Sequence, residues 1–262
     1  MELPEDIKLP FFAYGLFKPG ELAYRRIEAL VAEPPIRSFV RGSLWIRDGL
    51  PLLDPRPGDE VSGFVLQFYS DKSYEAYQII AEVEPDKQYR WNQISPNGFP
   101  GLVNVLVGRR PEKGSIHHEE SEWFGRYDPV FVNALPLVRE VEQAYGRQPF
   151  RSAPPDAFEW ERLFRLQMAY LLLWSSIERY CSLCFGANLD PMAKVSRLGE
   201  GSIFGTYLRQ VVSRTHRVYD SRDPSDHTTL DPQKPIPSAK YYYMVRSNLR
   251  RHLTKNGIVM VE

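Results

Sequence analysis

The sequence predicts two parts of different kind: an α+β domain over 1–148, holding a mixed sheet or small barrel, followed by an all-α helical bundle over 149–262. Three observations predict this. Residues 9–110 hold short apolar runs separated by glycine and proline. Residues 160–184 repeat their apolar positions at three- and four-residue steps. Between them lies GRQPFRSAPPD at 146–156, turn-rich and without apolar period. Short strands with occasional helices belong to α+β architectures, and a sustained helical period belongs to bundles.

Taken in order, LPFFAYGLF (9–17), RGSLWIRDG (41–49), VSGFVLQFY (61–69) and LVNVLVG (102–108) are the strand candidates. Helical stretches are expected at 21–32 and at 73–81. Residues 111–127 form a polar connector. Asp128-Pro129 then has the form of a helix start, continuing towards Tyr145 with a kink or break at Pro136. Beyond the boundary, Trp160, Leu163, Phe164, Gln167, Leu171, Trp174, Ile177, Cys181 and Cys184 trace one long helix. Phe204, Tyr207, Leu208, Val211, Val212 and Val218 trace a second, over 204–219. The polar, proline-rich stretch 220–237 is expected to be a mobile loop. Ser238 caps a last helix ending near Asn256-Gly257.

The 262 residues are 43% hydrophobic and 25% charged, with a net charge of zero. That sum hides a division: residues 151–262 hold 16 Lys+Arg against 11 Asp+Glu, and residues 1–150 hold 17 against 22. A mildly basic second half permits contact with nucleic acid. The N-terminus has no apolar signal region, and no apolar run approaches the ~20 residues of a membrane span, so a cytoplasmic protein is expected. The two cysteines, in CSLC at 181–184, lack the further ligands of a structural zinc and fall on the apolar stripe. The cluster His117-His118-Glu119-Glu120 sits in the connector as a solvated run. No metal site and no cofactor are expected.

The stretch FFAYGLFKPG at 11–20 interrupts a strand with glycine, which makes either a plain turn or a place where backbone amides face a ligand. After it come GSLWIRDGLP (42–51), Val61-Ser62-Gly63, Glu84 with Tyr89-Arg90, and the run at 102–107. In this order the chain resembles the gamma-glutamylcyclotransferase superfamily, which includes the AIG2-like proteins. The resemblance implies a small carboxylate or gamma-glutamyl ligand held at Tyr14, Gly15, Leu16 and Phe17, with Lys18 adding charge at the rim. It also implies that Glu84 is a general acid/base, moving a proton as the ligand's α-amine attacks its γ-carbonyl to release 5-oxoproline. That task near neutrality needs a raised pKa. The chain departs from the family's pattern at Ala81, where an aspartate is usual, and at Pro85 and Leu16. Glu84 as a base, as part of a ligand site without turnover, and as a surface acid therefore stay open. Glu82 shares its face if the segment is a strand.

At the other end, SAKYYYMVRSNLRRHLTKNG (238–257) resembles the terminal helix of HEPN domains, whose signature is an arginine followed at a short spacing by histidine. The resemblance implies a homodimer and a metal-independent endoribonuclease acting on single-stranded RNA, of a toxin or antiphage type. Arg246 and His252 would be catalytic, Asn248 would orient the imidazole or the phosphate, and Arg250, Arg251 and Lys255 would hold the RNA backbone. Many members place the histidine one residue earlier, where this chain has Arg251. Three functions follow: the ribonuclease with a ligand-sensing or ligand-modifying first domain; a gamma-glutamylcyclotransferase-type enzyme with a dimerising bundle; and a non-catalytic scaffold that binds a small ligand.

Overall fold

A computed structural model describes residues 1–56, 58–146, 158–186 and 189–255, with Tyr127 and residues 251–255 described as backbone only. The chain forms two compact units. Unit 1 is Met1–Pro129 with Ser182–Asn188, and unit 2 is Val130–Cys181 with Leu189–Glu262.

Unit 1 is a mixed α+β structure. Its strands are β1 (Phe11–Ala13), β2 (Ile36–Arg41), β3 (Ser43–Arg47), β4 (Leu50–Asp54), β5 (Glu60–Leu66), β6 (Tyr89–Ile94), β7 (Val103–Gly108) and β8 (Ile116–His118). Five make a sheet in the order β2-β5-β1-β7-β6, in which only the β1–β7 pair is parallel. The other three form an antiparallel sheet, β4-β3-β8, and β4 lies against β7. The parallel pair has a physical cause: β1 enters between β5 and β7 as the central strand, and every residue of β1 and β7 is buried. Strands covered on both sides read as continuous apolar runs rather than alternating ones.

Helix α1 (Ser73–Val83) covers the larger sheet. It buries Ala76, Tyr77, Ile80, Ala81 and Val83. The Tyr77 ring meets Phe11, Phe68 and Trp91 edge to face at 5.4–6.4 Å, and its hydroxyl donates to Leu9 O at 2.7 Å. Buried phenols carry a large apolar area but need such a partner for the hydroxyl. The expected helix at 21–32 is instead two 3₁₀ turns, Tyr24–Arg26 and Glu28–Leu30. The polar connector at 111–127 contributes β8 and the buried Trp123, whose indole N–H donates to Gly49 O at 3.2 Å.

Unit 2 begins with a helical stretch, Val130–Ala134 in wide π turns, α2 (Leu135–Val141), then π turns again over Glu142–Gly146. The anomaly expected at Pro136 is taken up by these wider turns rather than by a break. The stretch 147–157 lies outside the described residues, so all but Gly146 of the GRQPFRSAPPD segment does too. Then come α3 (Trp160–Phe185), α4 (Pro191–Glu200), α5 (Ser202–Val211), a hairpin of β9 (His216–Tyr219) and β10 (His227–Leu230), and α6 (Pro235–Lys255). The last four residues of α3 group with unit 1.

The hairpin corrects two expectations. The second unit is not all-α, and the helix expected to reach 219 stops at Val211. Val218 and Leu230 are buried with Leu208 and Tyr241, so 227–230, part of the stretch expected to be a mobile loop, pairs with 216–219 as a ribbon on α6. Ser238 does not cap α6, which starts at Pro235; its hydroxyl donates to Asp231 O at 2.7 Å and accepts from Asp231 N at 2.9 Å. Neither cysteine is in a disulfide, and both are buried. No described helix is long and apolar enough to cross a membrane.

Candidate active site

Glu84 is a buried carboxyl of the first unit. It is the residue after α1, and its N–H donates to Ile80 O at 3.0 Å to close the last turn. The following Pro85 forbids helical geometry at this position, and Glu84 is extended at φ −83°, ψ 127°. The helix end therefore turns the carboxyl inward, where it is 7% exposed. Its Oε2 is buried with no hydrogen-bond partner.

A buried carboxyl in that state resists ionising. Loss of water raises its pKa from about 4.5 to about 8. Its place at the negative end of the α1 dipole acts in the same direction. Glu82, two residues before, is helical and exposed; it pairs with Arg26 at 2.9 Å and does not share the face of Glu84.

The pocket in front of Glu84 is lined by Phe11, Ala13, Tyr14, Gly15, Leu16, Phe17, Pro51, Tyr89 and Leu106. All four residues of the YGLF turn reach it, so the structure brings together Glu84, Tyr14, Gly15, Leu16 and Phe17, which lie far apart in sequence. The phenols act as fixed posts. Tyr14 donates to Leu106 O at 2.7 Å and accepts from Leu53 N at 3.1 Å, and Tyr89 donates to Pro51 O at 2.8 Å. Burial pushes the Tyr14 hydroxyl above its usual pKa, and nearby Glu84 adds to this, so Tyr14 stays neutral.

The turn after β1 is held by Lys18 N to Gly15 O at 3.1 Å and Ala23 N to Leu16 O at 3.1 Å. Among the described residues, the N–H groups of Gly15, Leu16 and Phe17 donate to no backbone acceptor. Successive amides of this kind form an anion-binding nest. A Cβ at 15 would stand 3.0 Å from Pro51 Cγ, on the wall of the pocket, so a side chain there would push the Pro51 ring aside by a few tenths of an ångström. The free space is small, about 10 Å³, room for about one water.

Lys18 is not at a rim. It is 1% exposed, bonded to Glu122 Oε1 at 2.8 Å and Trp123 O at 2.5 Å, and it lies 4.2 Å from the centre of the Phe124 ring. Its charge is spent inside the unit. The sequence carried no sign of this pairing, since Glu122 is 104 residues away.

The residues singled out in α6 are placed differently. Arg246 pairs with Glu178 at 2.7 Å and lies 5.5 Å from the Tyr243 ring. Asn248 is 1% exposed; its amide donates to Tyr219 O at 2.7 Å and its carbonyl accepts from Ser221 N at 3.2 Å. It therefore ties the hairpin to α6. Arg250 is exposed. The side chains of Arg251, His252 and Lys255 lie outside the described residues. His117 and His118 are in β8, where His118 Nε2 is 3.1 Å from Glu122 O, and no group of metal-ligating side chains occurs among the described residues.

No family model and no curated protein sequence matches the chain. Solved structures do. An uncharacterized protein from Pyrococcus horikoshii matches at 16% identity and a TM-score of 0.35, over 44% of this chain and 88% of that one. An AIG2-like protein from Mus musculus matches at 15% and 0.35, over the same shares, 44% and 88%. An allophanate hydrolase from Kluyveromyces lactis matches at 12% and 0.37, over 46% of this chain and 21% of that one. At such scores nothing about chemistry passes from these proteins to this chain, and the site stands on its own geometry.

Proposed function

We propose that unit 1 is a gamma-glutamylcyclotransferase-type enzyme acting on a small gamma-glutamyl compound, with Glu84 as the proton carrier. One observation carries this: a buried carboxyl without a hydrogen-bond partner, facing a turn whose amides have no backbone acceptor. A protein core does not leave such groups facing each other for stability, because each costs free energy when buried unpaired. Perturbed, unsatisfied groups in a pocket mark functional sites.

The chemistry follows from the parts. The amides of Gly15, Leu16 and Phe17 hold the ligand's carboxylate or the oxygen of its γ-carbonyl. Holding the chain folded back brings the α-amine to the γ-carbon, so the attack is intramolecular. As the new C–N bond forms, the amine loses a proton to ionised Glu84. The same proton passes to the departing amine nitrogen as the original amide bond breaks. The products are 5-oxoproline and a free amine, and Glu84 returns to its starting state. With a pKa of about 8, the carboxyl can take and return a proton near neutral pH. The present pocket is too small for this ligand, so the Leu16–Phe17 turn moves outward on binding.

The test is release of 5-oxoproline from gamma-glutamyl amino acids and gamma-glutamyl amines. Wild type is expected to release it, and Glu84→Gln, which keeps the side chain's size, is expected to lose at least about a hundredfold. Equal rates in the two proteins would remove Glu84 from the chemistry. Binding of the ligand without turnover in wild type would leave unit 1 as a binding module.

A further inference from the structure

On unit 1 there is a second concave site, about 1120 Å³, built from the end of β3, the end of β4, the start of β6 and the loop after β7. Its lining holds seven cations, Arg47, Arg56, Lys87, Arg90, Arg109, Arg110 and Lys113, against two anions, Asp54 and Glu112. Residues 1–150 hold only 17 Lys and Arg against 22 acids, so seven of the 17 cations of an acidic half line one cleft. Chance scatter on a solvated surface does not need a cleft.

The cations divide into supports and free heads. Arg47 is a support: its guanidinium donates to Ser115 Oγ at 3.1 Å, Arg109 O at 3.3 Å, Arg110 O at 2.6 Å and Lys113 O at 2.8 Å. A planar fork of donors satisfied this fully fixes the loop over 109–113. Arg109 does the same across the cleft, donating to Asp86 O and Tyr89 O at 2.8 Å each. Arg56 is neutralised by Asp54 and Glu112. That leaves Lys87, Arg90, Arg110 and Lys113, all exposed and in no ion pair among the described residues. Fixed supports that aim four unpaired cations into one cleft are a preorganised anion site, because the cost of gathering like charges is already met by folding.

We propose that this cleft binds a compact oligophosphate anion: several phosphate groups on one small molecule, whether inorganic, on a polyol or as a nucleotide's tail. One feature favours this over a nucleic-acid strand. The lining has no aromatic side chain, so no base can stack there, whereas single-strand binding uses stacking platforms.

Inorganic tripolyphosphate is the probe, titrated calorimetrically into the full chain. Saturable binding is expected, weakened at least about tenfold when salt rises from about 0.1 to about 0.5 M. Arg90→Ala with Lys113→Ala should also weaken it at least about tenfold. Neither side chain makes a hydrogen bond within the unit, and the Lys113 carbonyl that Arg47 uses remains, so the melting temperature should stay unchanged. ATP should bind about as tightly as tripolyphosphate, since only the tail is held. Absence of saturable binding, or binding indifferent to the double substitution, overturns the proposal. A single-stranded RNA oligomer that binds more tightly through the same two residues overturns it in favour of a nucleic-acid site.

Discussion

Glu84 sets the pH behaviour of unit 1. Its folded pKa, about 8, is above the value of about 4.5 it has when solvated, so the folded state holds a proton that the unfolded state releases between those pH values. Stability contributed by this group is therefore present below pH 4.5 and falls as pH rises towards 8, levelling off above. Glu84→Gln removes the titration. The variant should match wild type near pH 4.5 and gain on it steadily to pH 8, by a few kcal/mol at most, read from thermal melts at several pH values. On the proposed reaction the catalytic profile would have the opposite slope, because attack by the amine would need ionised Glu84: kcat/KM should then rise with an apparent pKa near 8. A variant better folded and less active at high pH is the mark of a group kept for function rather than stability. The residue itself was legible in the sequence, through its spacing to Tyr89-Arg90. Its isolation was not, because that depends on what fails to reach it from the rest of the unit.

Among the elements, the buried strands were the most legible. β1, β5 and β7 are apolar enough to stand out, and β3 sits within a recognisable run. The β9–β10 hairpin was not legible. HRVY and HTTL bury one residue each, and the prolines around them read as loop. What makes a strand there is α6, which supplies the apolar surface under Val218 and Leu230 and the amide of Asn248. Asn248 was read as an orienting residue of a ribonuclease, from its place four residues before His252. The structure gives its amide a different set of partners. Asn248→Ala leaves Tyr219 O and Ser221 N without partners and should lower unfolding free energy by about 2–3 kcal/mol, measured by denaturant titration. Asn248→Asp should recover part of this, since it still accepts from Ser221 N but cannot donate to Tyr219 O.

For the whole molecule, unit 1 is discontinuous along the chain. Ser182–Asn188 belongs to it, and the described part sits by the end of α1. Arg26 Nη1 is 3.5 Å from Cys184 O, and Cys184 Sγ is 4.0 Å from Leu22 O. Gly186, at φ +102°, brings its backbone so close to Glu82 O that a Cβ would stand 2.6 Å away. Gly186→Ala combines a strained backbone with that overlap and should destabilise unit 1 by about 1–3 kcal/mol in calorimetry. The effect would be felt a hundred residues away in sequence, beside Glu84. Nothing in the apolar pattern marked residues 182–186 as part of the first unit, because they continue the period of a long helix.

The discontinuity has a consequence for a chain made from its N-terminus. The sheet of unit 1 can form once Gly108 has emerged, but the segment that closes over Leu22, Arg26 and Glu82 is made much later. Between those moments the end of α1 is covered on one side only. Translation therefore passes through a state in which the last turn of α1 still meets water at Glu82, and the last step of maturation for this unit is the docking of residue 186 against that turn.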